Sequence, residues 1–133
     1  MLTLCALALT QPLAGVALAP VVVHGGVRAL DLQARLDVVG SPGTSVKAWV
    51  QTSIDGGATW LDLACFAFGT SSAVKAARIP GSALKPPAAI AEGTLADDSA
   101  TDGPFGERFR VKVTSAGSYG AGTALTLVAV PRS

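Results

Sequence analysis

Charged and aromatic side chains are both scarce in this chain. Of 133 residues, ten are Lys or Arg, nine are Asp or Glu, and Phe, Trp and Tyr together make up 5%. Surfaces of free monomers usually carry about a quarter to a third charged residues, so part of this surface is expected to lie against neighbours. The signs nearly cancel, to a net charge of +1, and no Lys/Arg-rich stripe runs along the sequence. Direct binding to DNA or RNA is therefore not expected. Metal-ligand spacing is absent too: Cys5 and Cys65 stand in no C-x-x-C pattern, and the one histidine, His24, is the only ring available to help them. No metal or cofactor is expected, and two reduced, packed thiols are favoured over a disulfide.

Long regular apolar runs are also missing. Residues 1–20 are apolar and Ala-rich, but no Lys or Arg precedes Arg28, and Gln11, Pro12 and Gly15 interrupt the run. The segment lacks the basic start of a secretory leader and the length of a bilayer span, and reads as strand. Nowhere do about 11 residues hold a 3.6 repeat free of Gly and Pro, so no helix is expected.

What remains is strand pattern. In residues 28–38, Leu30, Leu32, Ala34, Leu36 and Val38 alternate with Asp31, Gln33, Arg35 and Asp37, a repeat of two. After the turn Gly40-Ser41-Pro42-Gly43, residues 46–54 and 60–68 read as two arms of a hairpin. Val46, Ala48, Val50 and Ile54 share one side of the first arm and Trp49 takes the other. In the second arm Leu61, Leu63 and Cys65 oppose Trp60, Phe66 and Phe68. A slip of one residue exchanges the faces, so the register stays open. Residues 108–114 place Phe109, Val111 and Val113 against Arg108, Arg110 and Lys112, and residues 123–130 read as the return strand of a second hairpin. Residues 2–10 and 16–24 read as two further strands. Residues 80–106, with Pro80, Pro86, Pro87 and Pro104, read as a long loop holding at most a short strand near residues 88–91. About seven or eight strands with frequent turns predict a single-domain, all-β antiparallel sandwich, jelly-roll or immunoglobulin-like. Residues 1–24 form its opening strands, an arm open to exchange between copies.

One string is dense enough in constraints to count as a motif. Residues 53–60 read Ser-Ile-Asp-Gly-Gly-Ala-Thr-Trp, an S-x-D-x-G-x-T-W pattern. It resembles the Asp-box, a hairpin element of sialidases and of many unrelated secreted or viral β-proteins. Its sense is local: Asp55 accepts amides of its own turn, with Ser53 and Thr59 beside it. Gly56 and Gly57 tolerate positive φ, and Trp60 restarts an apolar strand. In sialidases the box recurs on propeller blades away from the catalytic centre, whereas it occurs once here, in a chain too short for a propeller. The resemblance implies a turn and not an activity.

Catalytic constellations are not assembled by the sequence, and an enzyme is not expected. His24 precedes Gly25-Gly26 without a nucleophile or orienting carboxylate nearby, as a turn or surface histidine would. Glu92 and Glu107 are the only glutamates and sit in no frame for glycoside hydrolysis. Tyr119, the lone tyrosine, has no arginine cluster around it. Asp97, Asp98 and Asp102 lack the glycine and terminal glutamate of a calcium loop and read as a solvated loop. Trp49 and Trp60 raise a sugar-stacking platform, against which core packing is the simpler reading. Arg108, Arg110 and Lys112 read as the solvent side of a strand, with contact to an acidic partner as the alternative. Trp49, Leu61, Leu63, Arg108, Arg110 and Lys112 make up the candidate interaction surface.

The alternating opening strand, the hairpin Val-Gln-Thr-Ser-Ile-Asp-Gly-Gly-Ala-Thr-Trp-Leu-Asp-Leu-Ala from Val50 and the late Phe-Arg-Val-Lys-Val-Thr strand resemble small virion structural proteins of tailed bacteriophages. The similarity of pattern spans residues 2–130 and is sharpest at residues 50–68 and 109–114. It implies a decoration or cement protein on the head, or an accessory protein of the neck or tail. It also implies self-association, with a major capsid protein or neck and tail proteins as partners and the virion as location. A carbohydrate-binding module of a fibre or spike is the alternative. None of these roles involves nucleic acid or membrane.

Overall fold

The nine-residue alternation from Ala29 to Asp37 forms a strand with Leu30, Leu32, Ala34 and Leu36 sealed inward. The computed structural model describes residues 1–81 and 84–133. Ten strands run in chain order: β1 (Leu2–Ala8), β2 (Leu13–Ala17), β3 (Val21–Val22), β4 (Ala29–Asp37), β5 (Ser45–Ser53), β6 (Leu61–Phe68), β7 (Ala73–Ile79), β8 (Ser99–Ala100), β9 (Arg108–Ala116) and β10 (Ala124–Arg132). They build two packed antiparallel sheets, ordered β1-β10-β4-β7 and β2-β9-β5-β6-β8, with β3 also on β9. Among the described residues there is no helix. The all-β sandwich expected from the sequence is the observed fold.

The order of pairing defines the wind. With β3 counted in line with β2 and the two-residue β8 set aside, eight strands remain. The first bonds the last (β1–β10), the second the seventh (β2–β9), the third the sixth (β4–β7) and the fourth the fifth (β5–β6). This is one long hairpin rolled on itself, a jelly roll, which resolves the two topologies left open by the sequence. Its tip is the turn between β5 and β6, where the Asp-box-like string of residues 53–60 lies.

Each inner face follows the period of two. Val46, Ala48 and Val50 of β5, Phe109, Val111 and Val113 of β9, and Leu125, Leu127 and Ala129 of β10 are all out of solvent. Of three register shifts, in β1, β2 and β6, those in β1 and β6 rearrange core side chains. In β1 a bulge between Thr3 and Cys5 turns both Leu4 and Cys5 inward. In β6 the register shifts opposite Val50 and Gln51, so Leu63 and Ala64 both enter the core and Cys65 turns outward beside Trp49. A bulge of this kind places two residues against one and flips every later side chain. The face of Leu61, Leu63 and Cys65 read from the sequence is therefore split. Ile54, expected to continue the inward face of the first arm, has left the strand and is 61% exposed.

Three strand expectations need correction. Residues 108–114 and 123–130 do not form a hairpin: β9 pairs with β5, β2 and β3 in one sheet, and β10 with β1 and β4 in the other. The connection between them crosses the sandwich, pinned by Tyr119, whose buried hydroxyl donates to the Gly69 carbonyl at 2.7 Å. No strand occurs at residues 88–91, all of which are exposed, and the short strand of that region is β8. Residues 16–24 are broken at Leu18, Ala19 and Pro20 into β2, which begins at Leu13, and β3. β7 was not anticipated, because Ala73, Ala76 and Ala77 carry little strand propensity. The long loop at residues 80–106 is otherwise observed, its residues 82 and 83 lying outside the described residues.

Candidate functional site

The turn at the tip of the roll is built by its own side chains. Ser53 Oγ donates to Asp55 Oδ1 at 2.9 Å, the Gly57 amide donates to Ser53 Oγ at 2.8 Å, and the Thr59 amide donates to Asp55 Oδ1 at 2.8 Å. Gly56 and Gly57 adopt φ of 76° and 101°, which side chains rarely tolerate. Trp60 Nε1 closes the loop on the Gly57 carbonyl at 3.0 Å. The amide and hydroxyl of Thr59, followed by the Ser53 hydroxyl, hold the Asp55 carboxyl down at about 2. Ser53 Oγ and Asp55 Oδ1 thus serve the turn itself, while Asp55 and Thr59 remain exposed at its rim.

The outer face of the larger sheet carries a second network. Residues 92–98 cross this face as a strap, fixed by Asp62 of β6. Its carboxylate accepts the amides of Gly93 at 2.8 Å, Thr94 at 2.9 Å and Leu95 at 3.0 Å, and the side-chain amide of Gln51 at 2.9 Å. Trp49 Nε1 donates to the Leu95 carbonyl at 3.1 Å. Gln51 in turn accepts Arg110 Nε at 2.8 Å, and the Arg110 guanidinium lies 4.2 Å from the Trp60 ring centroid. Glu92 bridges Arg110 at 3.0 Å and Lys112 at 2.9 Å. Farther along, Asp97 pairs with Lys47 at 2.9 Å. Asp98 pairs with Lys75 and accepts the Ala67 amide, and these two contacts hold its carboxyl below the usual range.

The residues singled out in the sequence are thereby placed. Trp49 and Trp60 are 9% and 6% exposed, but both lie outside the central core, covered by the strap and by Arg110. Leu63 is fully buried in the core and presents no surface, contrary to its inclusion in the interaction face. Leu61 is half-buried, Arg108 is exposed, and Arg110 and Lys112 are tied to Glu92. Asp97 and Asp98 are taken by lysines, and His24 is exposed at the end of β3. Sequence reasoning missed Asp62 and Gln51, the hub of the network. Their signal was one carboxylate, Asp62, in an otherwise apolar second arm, opposite a first arm that carries Gln51 among Lys47, Thr52 and Ser53.

One concavity of about 860 Å³ opens between the strap and the end of the sandwich. Ile54, Leu61, Leu84, Ile90 and Phe105 line it, with Pro86 and Pro87 on its outer wall and Arg28, Lys85 and Asp102 at hand. Ile54 and Ile90 are 61% and 53% exposed and Leu84 is fully exposed, so three large apolar side chains converge on one open site. Solitary exposed apolar residues need no explanation, and this grouping is what sets the concavity apart from the rest of the surface.

Searches of the chain against protein-family models, curated proteins and solved structures returned no match.

Proposed function

We propose that this chain is a non-enzymatic structural protein of a bacteriophage virion, a decoration or cement protein that stabilises the head through subunit contacts. The observation that carries the reading is the open apolar concavity where Ile54, Leu84 and Ile90 meet. The chain's polar side chains, in contrast, are largely committed to one another in the turn and beneath the strap. Apolar surface is thus what the molecule has to offer a partner. At ~25 cal/mol per Å², each ~100 Å² of such surface that is covered gives about 2.5 kcal/mol of gross stabilisation per copy, partly offset by docking entropy. Repeated over a shell, modest contacts of this size suffice. Jelly rolls also serve in viral capsids, an analogy at the level of fold alone.

A carbohydrate-binding role on a fibre or spike needs an open indole face, and the burial of Trp49 and Trp60 favours the head-surface reading. Electron microscopy of purified particles carrying labelled protein tests the assignment. Label spread over the head is expected. Label confined to neck or tail transfers the role there, and label missing from particles overturns it. Ile54→Glu combined with Ile90→Glu should leave the fold intact, because both side chains are exposed, and should abolish incorporation.

A further inference from the structure

We propose that the outer edge of β7 is a pairing edge for a second copy of this chain, joined antiparallel across a two-fold axis at Ala76. The two open sheets end in four edges, and three of them are interrupted. At β1 the bulge after Thr3 breaks the line. At β2 and β3 a register shift beside Gly15, at φ 59°, and the break at Pro20 leave only short pieces. On the far side of β6, the edge is closed by β8, by the Asp98 carboxylate on the Ala67 amide and by the Thr101 amide on the Leu63 carbonyl. Bulges, short strands and covering loops are the usual means of keeping foreign strands off an edge.

β7 is seven residues long and has no bulge, and residues 98–100, which border residues 75–77 across a hollow, bond β6 and leave the β7 backbone unpaired. Its register with β4 runs unbroken from Leu30–Ile79 to Leu36–Ala73, without Gly, Pro or bulge. Among the described residues no strand pairs with its other side. Its two charges are engaged within the chain. Arg78 is folded back on Asp31 at 2.7 Å, and Lys75 reaches across to Asp98 at 2.9 Å and to the Ala67 carbonyl. An inward lysine repels a partner when pairing would strand its charge. Lys75 already has its counter-ion, so pairing strands nothing.

The occupant follows from the edge itself. An unpaired strand edge takes an extended backbone, and this one is self-complementary. About an axis at Ala76, Val74 faces Arg78 and Lys75 faces Ala77 of the other copy, so no like charges stand directly opposed. The small Ala76 and Ala77 allow close approach. The junction would fuse two four-stranded sheets into one. It stands on the edge comparison alone, independent of the virion assignment.

Cysteine substitution tests both the pairing and its register. Residues directly opposed in an antiparallel pair have Cα atoms about 4.5–5.5 Å apart, within disulfide reach. Ala76→Cys should give a disulfide-linked dimer under mild oxidation. Val74→Cys should not, because its own copy lies about 14 Å along the junction. Both positions are exposed, and the native Cys5 and Cys65 are buried. Sedimentation of the unmodified chain should show a dimer in the micromolar range. Ala76→Lys should weaken it by up to about fivefold, with recovery on mixing with Ala76→Glu. A chain that stays monomeric, including one whose edge is covered only by another protein of the particle, overturns the proposal. So does equal cross-linking at positions 74 and 76, or cross-linking at 74 alone.

Discussion

Gln51 and Asp62 face each other across the β5–β6 pair, and the Gln51 amide donates to Asp62 Oδ1 at 2.9 Å with both side chains out of solvent. The pair links Arg110 on one side to the strap on the other, so the sheet and a loop some 30 residues downstream share one carboxylate. The surface ion pairs of Asp97 and Asp98 are largely exposed and contribute little beside it.

Asp62→Ala is expected to release the strap. Three strap amides and the Gln51 amide lose their acceptor; the freed strap amides turn to water, but the buried Gln51 amide is left without a partner, and that is costly. The loss should be about 2 kcal/mol in urea unfolding. Because Trp49 is covered by the same segment, its fluorescence should shift to longer wavelength in the folded variant. Asp62→Asn keeps one acceptor oxygen and should lose less. A variant as stable as the parent with unchanged emission would remove the strap from the account.

Asp55 sets a pH dependence. Its folded carboxyl titrates at about 2, against 3.8 for the free group, because the Thr59 amide and hydroxyl and the Ser53 hydroxyl bind the charged form. Between those values the unfolded chain binds more protons than the folded one. Stability is therefore fully present above about pH 4 and declines as pH falls toward 2. Asp31 and Asp98, lowered chiefly by Arg78 and Lys75, add losses of the same sign. The contribution of the turn is isolated by Asp55→Asn, whose urea midpoint should fall less between pH 4 and pH 2 than that of the parent. Parallel acid profiles would show that the Asp-box bonds do not favour the folded state.

The fold was legible where side chains alternate and obscure where pairing is distant. β4, β9 and β10 show their inner faces directly as Leu, Val, Phe and Ala at every second position, and the Asp-box-like string marks the β5–β6 turn. In a rolled hairpin, however, consecutive strands mostly belong to opposite sheets. β5–β6 is the one consecutive pair that bonds side by side among the described residues. Reading β9 and β10 as neighbours followed the commoner local rule and failed for that reason. The bulge at Leu63 was invisible because its cause is the cross-strand register, which no single strand carries. The strap had a fainter signal: an acidic loop containing Glu92, Asp97 and Asp98 complements the outward Arg110 and Lys112 of β9 and Lys47 of β5. Read from the sequence, Asp97 and Asp98 belong to a solvated loop and Arg110 and Lys112 to a solvent face, and only the fold brings these groups to Glu92, Lys47 and Lys75.

Cys5 and Cys65 should be inert in the folded chain. Both are free and buried, and loss of hydration pushes each thiol up to about 11. The attacking species is the thiolate, so at pH 8 a disulfide reagent should find almost none of it. Labelling should track unfolding, with both thiols reacting together once denaturant crosses the transition. Rapid modification of either one in the native chain would place it at the surface.

Gly106, between Phe105 and β9, separates a packing requirement from a conformational one. A Cβ there would stand 1.8 Å from the Ser53 carbonyl oxygen, a backbone atom that cannot rotate away. The Gly106 amide also donates to Thr52 Oγ1 at 2.9 Å, so the segment cannot shift without breaking that bond. Gly106→Ala should destabilise by about 3 kcal/mol, at the upper end of overpacking costs, because strand end and turn must part together. Gly69→Ala supplies the comparison, since a Cβ at Gly69 meets nothing within 4 Å and its backbone lies outside the left-handed region. That change should be neutral or raise stability by about 0.5 kcal/mol through the unfolded chain. Chemical unfolding of the two variants in parallel decides the matter: equal midpoints would mean that the approach of Gly106 to Ser53 is not as close as described.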